Sequence, residues 1–239
     1  MRRKLLIEKQ WQDLEGLDSL LRELPDIPES RITHRLKDKA MSLVARLRLG
    51  DQEMVAKRYR CATPMKRWTR AVRRSKAWRS WWACGRLAEL GIPAMERVIC
   101  FEHRVGPLQF DPVFIGTWVS GPNMIEHLTA EHMDEARVLA DAREIIARVG
   151  RIHAAGLAHG DLNWTNIRFS ERGPTFVDLD DTRAYRPGPR RDYRMTRDWR
   201  VLIYNWRDRP EMAELFRELV REHLGDAAYE RVMARPFRS

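Results

Sequence analysis

Apolar positions along the chain change period several times, and the changes outline its elements. Leu14, Leu17, Leu20, Leu21 and Leu24 recur at helical spacing, so residues 4–24 read as an amphipathic helix closed by Pro25 and Pro28. Residues 43–49 alternate in part and 53–59 form a second strand candidate. Gly50, Asp51 and Gln52 between them read as a hairpin turn. Residues 65–90 carry a helical pattern that Gly91 and Pro93 stop. Short apolar strands are predicted over 98–101 and 113–119, after which Gly121 and Pro122 break the chain. A long helix over 134–154 places Ile145, Val149 and Ile152 on one face. Residues 166–169 and 175–179 read as strands on either side of Glu171, Arg172, Gly173 and Pro174. The Arg- and Pro-rich segment 183–197 reads as irregular, and helices follow near 198–206 and 210–224. A strand-rich first half, a joint near 119–122 and a helical half with a small β insert predict an α+β chain.

Composition narrows the class. The length of 239 residues suits one domain, or one domain in two lobes. An apolar fraction of 44% supports a core, and a charged fraction of 33%, mixed in sign, argues against disorder. No apolar run approaches the roughly 18 residues of a membrane span. The start, Arg2, Arg3 and Lys4 before Leu5, Leu6 and Ile7, opens like a signal peptide, but Glu8 and Lys9 end the apolar run too soon for export. Cys61, Cys84 and Cys100 show no CxxC spacing. That argues against a disulfide framework or a thiolate zinc site, and fits a cytosolic protein.

The net charge of +10 is unevenly spread. Residues 54–88 hold no acid but eleven basic residues, interleaved with Trp68, Trp78, Trp81 and Trp82. Lys and Arg mixed with tryptophan suit an anionic membrane surface or lipid phosphates. A solvated helix face and a nucleic-acid surface are the competing readings.

The chemistry concentrates in His159-Gly160-Asp161-Leu162-Asn163-Trp164-Thr165-Asn166 and in Phe176-Val177-Asp178-Leu179-Asp180. A carboxylate, a carboxamide five positions on and a second carboxylate twelve beyond that fit phosphoryl transfer. There the protein mainly positions groups and neutralises charge. One Asp orients the acceptor hydroxyl, oxygen ligands hold Mg²⁺, and a Lys reaches the α/β-phosphates. Lys57 closes the strand run Val55-Ala56-Lys57, where such a Lys belongs. His153 and His159 stand six apart, without the i, i+4 spacing of a helical zinc pair.

Four phrases carry a resemblance: VAKRY (55–59), RLAELGIP (86–93), IHAAGLAHGDLNWTNI (152–167) and FVDLDDTR (176–183). Over roughly residues 32–206 the chain resembles the protein-kinase-like superfamily. More narrowly it is similar to the lipopolysaccharide core kinases, the Kdo (3-deoxy-manno-octulosonate) kinase and InaA-like group. Heptose kinases of the same pathway tend to carry His where Asn166 stands, which favours the Kdo kinase branch. The resemblance implies a two-lobed protein-kinase-like fold: a small β-rich N-lobe over 31–119, a mainly helical C-lobe over 120–239, and an N-terminal helix over 1–30 packed on or near the N-lobe. It makes Asp161 the catalytic Asp, Asn166 and Asp178 the metal ligands, and Lys57 the phosphate-binding Lys. Asp178 is preferred to Asp180 and Asp181 because it directly follows the strand and precedes an apolar residue, as in the family motif. Val55, on the face of Lys57, would roof the adenine. Trp118 and Val119 open a hinge that runs to Gly121. The phosphate loop falls in 37–42, which has no glycine and ends on Ser42. His159 and Asp198 would support the catalytic loop.

The implied activity is ATP- and Mg²⁺-dependent phosphorylation of a Kdo or neighbouring inner-core sugar. The implied partner is an anionic lipopolysaccharide precursor, with no nucleic acid, at the cytoplasmic face of the inner membrane of a Gram-negative bacterium. Arg183, Arg186, Arg190, Arg191, Arg194 and Arg197 would face phosphates and carboxylates of that acceptor. Three departures bear on this. Gly160 stands where protein kinases carry an Arg that pairs with a phosphorylated activation loop, which implies constitutive activity. No APE-like anchor follows Asp178, which argues against peptide substrates. Ser80 stands where the helix Glu that pairs with the strand Lys is expected. Three other readings are a kinase for another small molecule, such as an aminoglycoside or choline, a non-catalytic pseudokinase that regulates a partner, and a basic RNA- or DNA-binding module, which gives no reason for the Asp/Asn/Asp spacing. Sites of the first kind usually attract cations with acidic surfaces, unlike this basic chain.

Overall fold

The computed structural model describes residues 2–60 and 74–234. They divide into two compact units, one of residues 1–88 with 95–118, the other of 89–94 with 119–239. Cys61, Lys66, Arg67, Trp68, Arg70 and Arg73, which the sequence reading singled out, lie outside the described residues.

The first unit is built on a six-stranded antiparallel sheet. Its strands are β1 (Arg2–Ile7), β2 (Ile32–Lys39), β3 (Ser42–Leu49), β4 (Gln52–Arg58), β5 (Arg97–Val105) and β6 (Leu108–Thr117), in the spatial order β1-β5-β6-β4-β3-β2. Alternation decides its two faces. Leu43, Leu47 and Leu49 of β3, Met54 and Ala56 of β4, and Val113 and Ile115 of β6 bury one face. They cluster with Leu17 and Leu20 of helix α1 (Leu17–Glu23) and with Leu24 beyond it. Each leucine buried this way contributes roughly 1.5–3 kcal/mol. The helix α2 (Lys76–Glu89) buries Ala77, Ser80, Ala83, Cys84 and Leu87. β2 is almost wholly exposed, with His34, Arg35, Lys37, Asp38 and Lys39 along it and two register shifts against β3. Charges and bulges of this kind blunt a sheet edge against pairing with another chain.

The amphipathic helix expected over 4–24 is not what forms. Residues Arg2–Ile7 are a strand in register with β5, Arg2 opposite Arg104 and Ile7 opposite Ile99. The leucine spacing is helical only in Leu17, Leu20 and Leu21 of α1; Leu14 precedes that helix and Leu24 follows it. Arg2–Ile7 instead completes the hydrogen bonds of the β5 edge, a tertiary demand that local periodicity does not register.

The second unit is mainly helical. Its elements are α3 (Met124–Leu128), α4 (Glu135–Ala154), α5 (Pro189–Tyr204), α6 (Pro210–Leu224) and α7 (Asp226–Met233). Two small β pairs interrupt them: β7 (Leu157–Ala158) with β10 (Arg183–Ala184), and β8 (Ile167–Ser170) with β9 (Gly173–Phe176). Asn123 and Glu126 cap α3 reciprocally, at 3.0 and 2.9 Å. Asp134 caps α4 through the Arg137 amide at 2.7 Å, and Ile145, Val149 and Ile152 are buried on its inner face. The segment expected to be irregular over 183–197 is helical from Pro189 onward. Proline suits the first helical turn, where its missing N–H has no partner to lose, so the Pro-rich look concealed a helix start. No helix among the described residues is long and apolar enough to cross a membrane.

Candidate active site

The loop after β7 carries His159, Gly160 and Asp161, and a buried carboxylate shapes it. Asp198, on α5 and almost fully buried, accepts from the His159 amide at 2.7 Å and the Gly160 amide at 2.9 Å, and meets His153 Nε2 at 3.2 Å. Two loop amides thus converge on one fixed charge, the stronger kind of hydrogen bond. Gly160 sits at a φ of +85°, and a Cβ there would lie 2.7 Å from the Asp181 carbonyl oxygen. Only glycine satisfies both constraints. The expected arginine-free position therefore has a local steric cause.

Asp161 is exposed at the mouth of the loop. Asn166, buried, donates through Nδ2 to the Asp161 carbonyl at 2.9 Å and to its carboxylate at 3.3 Å. Only the amide nitrogen can donate to a carbonyl, so the Asn166 oxygen keeps its acceptor role, and Thr165 Oγ1 donates to it at 3.5 Å. The loop is held at further points, of which sequence reasoning singled out only Arg197, and that for the acceptor rather than the loop. Thr182 Oγ1 donates to the His159 carbonyl at 3.3 Å, Arg197 Nη1 to the Gly160 carbonyl at 3.3 Å, and Asn205 Nδ2 to the Leu162 carbonyl at 3.1 Å. Asn205 lies seven positions after Asp198, two helical turns along the same face, and that spacing was a usable signal. His159 is buried, and its Nδ1 accepts from the Asp161 amide at 3.4 Å.

Asp178 comes two residues after β9, and the amide of Val177 between them bonds the Asn166 carbonyl at 3.0 Å. The Asp178 backbone is left-handed, φ +56° and ψ +54°, and its carboxylate caps nothing in the short helical turn it opens. A non-glycine residue held there carries strain, which structures retain at functional positions. Asn166 and Asp178 carry hard oxygen donors of the kind that could hold Mg²⁺. Among the described residues no group of three or more His, Cys, Asp or Glu is placed to hold a metal ion.

In the first unit, Val55 and Lys57 share the face of β4 opposite the α1 core. Val44 pairs with Lys57 and Arg46 with Val55, so these β3 residues and Ser42 line the same face. Lys57 is 7% exposed. The Lys57 charge acts on Cys84 of α2, whose thiol burial pushes up to about 12. Ser80, at the position expected to carry a Glu, is buried against the Tyr59 hydroxyl at 3.4 Å. Ser42 opens β3 across a two-residue turn from Lys39, and Arg60 clamps that tip through Asp38 at 2.5 Å and the Lys39 carbonyl at 2.9 Å. The Arg60 bond holds the Asp38 carboxyl below the usual carboxylate range. Trp118 spends its amide on the Glu53 carbonyl at 2.9 Å, and the Arg46 guanidinium lies over its ring at 4.7 Å. Val119, buried, begins the second unit's long segment. There Gly121, φ +110°, lies so close to the Phe169 carbonyl that a Cβ would stand 1.9 Å from it.

Among curated proteins no sequence relative of significant similarity was found. Among solved structures, a chain titled "WaaP in complex with acyl carrier protein" superposes with a TM-score of 0.65 at 18% identity, over 97% of this chain and 95% of that one. That likeness shows the fold, the two-lobed α+β fold of protein kinases. The family model described as "Lipopolysaccharide kinase (Kdo/WaaP) family" matches residues 35–202, a span that runs from β2 through Asp161, Asn166 and Asp178 to the α5 carboxylate beneath them. A loop braced on a buried helix carboxylate, in a kinase fold, across most of the chain a family model covers: the protein belongs to the lipopolysaccharide kinase (Kdo/WaaP) family and is a phosphotransferase.

Proposed function

We propose that the protein transfers the γ-phosphoryl group of ATP to a hydroxyl of Kdo or a neighbouring inner-core sugar of lipopolysaccharide, at the cytoplasmic face of the inner membrane. The observation that carries the reading is the loop just described, with Asp161 presented outward and oriented by Asn166 while the amides of His159 and Gly160 before it are fixed on Asp198.

The Asp161 carboxylate accepts a hydrogen bond from the sugar hydroxyl, turns the hydroxyl lone pair toward the γ-phosphorus and takes the proton as the new bond to phosphorus forms and the bond to the β,γ-bridging oxygen breaks, with ADP leaving. The Asn166 bond to Asp161 keeps that carboxylate in one orientation, so little alignment is lost at the moment of reaction. Asn166 Oδ1 and Asp178 would hold Mg²⁺, which when bound neutralises charge on the transferring phosphate. Lys57 holds the α/β-phosphates, Ser42 lies on their side of the β3 strand, and Val55 covers the adenine. The Trp118 amide is already spent within the sheet, so the adenine edge is read by the backbone from Val119 on.

The test is mass spectrometry of Kdo–lipid A incubated with protein and Mg-ATP, beside an Asp161→Asn control. The expected result is the gain of one phosphoryl group, slowed about 10²–10⁴-fold in the control. Gain of none on Kdo–lipid A or on a heptose-extended core would sink the substrate assignment. Ser80, in place of a helix carboxylate, favours one other reading, a pseudokinase. It predicts Mg-ATP binding with no turnover on any acceptor.

A further inference from the structure

Of the six arginines in 183–197, the structure selects three. A cavity of about 380 Å³ in the second unit opens on Asp161 and is lined by Arg183, Arg194 and Arg197, together with Tyr185 and Asp181. Two elements present these groups. Arg194 and Arg197 stand three apart on α5 and so share a face. Arg183 sits in β10 opposite Ala158 of β7, and Tyr185 two positions on shares its side, its amide tied to the Gly156 carbonyl at 2.9 Å. The cavity wall is therefore anchored to the strand that leads into the catalytic loop. Arg197 anchors it a second time through its bond to the Gly160 carbonyl. Arg186 and Arg190 are exposed and line no part of it, and Arg191 lies 3.5 Å from Asp192. Among the described residues no carboxylate lies within ion-pair distance of Arg183 or Arg194.

Three guanidiniums against the carboxylates of Asp161 and Asp181 leave one positive charge around the cavity. One monoanion balances it, and a guanidinium fork matches a carboxylate with two parallel bonds. We propose that Arg183, Arg194 and Arg197 form a subsite that takes a carboxylate of the acceptor sugar, seating its hydroxyl against Asp161. The proposal rests on the kinase reading above and narrows its substrate to a sugar acid. Arg183 and Arg194 grip the acid group, and Arg197 joins it while holding the loop. These are specificity residues, since none of them touches the transferring phosphate.

The experiment uses the full chain and two readouts. Binding of free Kdo and of its carboxyl-reduced analogue is followed by calorimetry without nucleotide. Steady-state kinetics then compare Kdo–lipid A, its carboxyl-reduced form and its form lacking the lipid A phosphates. In Arg183→Gln and Arg194→Gln the Kd for free Kdo and the acceptor KM are expected to rise about tenfold to a hundredfold, the loss of one charge-assisted bond each, with the ATP KM unchanged. Arg186→Gln, outside the cavity, is expected to match wild type. The carboxyl-reduced sugar is expected to bind wild type and variants equally weakly. Equal affinity of wild type for Kdo and the reduced analogue would overturn the subsite. So would discrimination that follows the lipid A phosphates instead. Arginine-dependent binding of Kdo with no phosphoryl transfer would uphold the subsite and refute the proposed reaction, so the two failures read differently.

Discussion

At Gly160 one backbone position decides the character of the loop that carries Asp161. Its φ of +85° and the Asp181 carbonyl, which would stand 2.7 Å from a Cβ, leave no room for a side chain. Gly160→Ala is therefore expected to cost about 1–3 kcal/mol, the usual penalty of a non-glycine residue in a sparsely populated conformation. It is also expected to lower kcat more than ATP affinity, because the Gly160 amide is one of the two that fix the loop on Asp198. Urea denaturation beside steady-state kinetics measures both, and an alanine variant with unchanged stability would show that the loop relaxes freely. Asp161, Asn166 and Asp178 stand out in the sequence because the proposed chemistry demands fixed residue types at fixed spacing. The loop-holding bonds of Thr182, Arg197 and Asn205 do not, although Arg197 was singled out as an arginine facing the acceptor. They act on backbone carbonyls, which any donor at the right place can satisfy, so residue type carries little signal.

At the scale of elements, legibility followed the source of each element's stability. α4 was read to its cap because Asp134 and the apolar stripe are local features. β1 was missed because what makes it a strand is the open edge of β5, nearly a hundred positions away. The start of α5 was missed because its arginines and prolines speak of loops until Gly188 and Pro189 are seen as a helix start. The packing of α4, α5 and α6 also makes a pH-sensitive joint. His223 of α6 fits against Gly150 of α4, where a Cβ would meet its Nε2 at 2.2 Å, and its ring lies 5.5 Å from Trp199 of α5. Burial, and then the nearby charge of His153, lower the His223 pKa. His153 in turn meets Asp198 and the edge of Trp199. A depressed folded-state pKa means that the unfolded chain, titrating near the ordinary imidazole value of about 6.5, binds the proton more readily. The contribution is thus complete above about pH 6.5 and is lost as pH falls through the lower folded value. The urea midpoint is expected to be flat above pH 7 and to drop on acidification before the carboxylates titrate, and His223→Gln to flatten that drop. Parallel slopes in the two proteins would remove His223 from the account.

For the whole molecule, the net charge of +10 matters less than where it is already answered. In the basic stretch 54–88, Lys57 is buried, Arg58 meets Asp26 at 2.5 Å and Asp111 at 2.8 Å, and Arg60 meets Asp38 at 2.5 Å. The strand portion is thus spent inside the first unit and does not form a charged face. Arg74 is different. It is exposed and lies 4.4 Å over the ring of Trp78, which stacks on Trp82 with 6.3 Å between centroids, an aromatic and cationic pairing suited to the headgroup level of a membrane. Arg67, Arg70 and Arg73 precede it in an acid-free run. Each Lys or Arg near an anionic bilayer contributes about 1 kcal/mol, and the attraction fades beyond a Debye length of about 10 Å at 0.1 M salt. The protein is therefore expected to co-sediment with anionic phosphatidylglycerol vesicles at low salt, to be released as salt rises, and to ignore neutral vesicles. Replacing Arg67, Arg70, Arg73 and Arg74 together by Gln is expected to weaken binding by up to about 4 kcal/mol. The same four changes at Arg207, Arg209, Arg217 and Arg221 remove equal charge from the other unit and separate a local surface from a net-charge effect. If both variants weaken equally, the attraction is diffuse. If only the first does, the basic stretch is the face that meets the lipid, and an enzyme whose acceptor is anchored in that lipid would find it there.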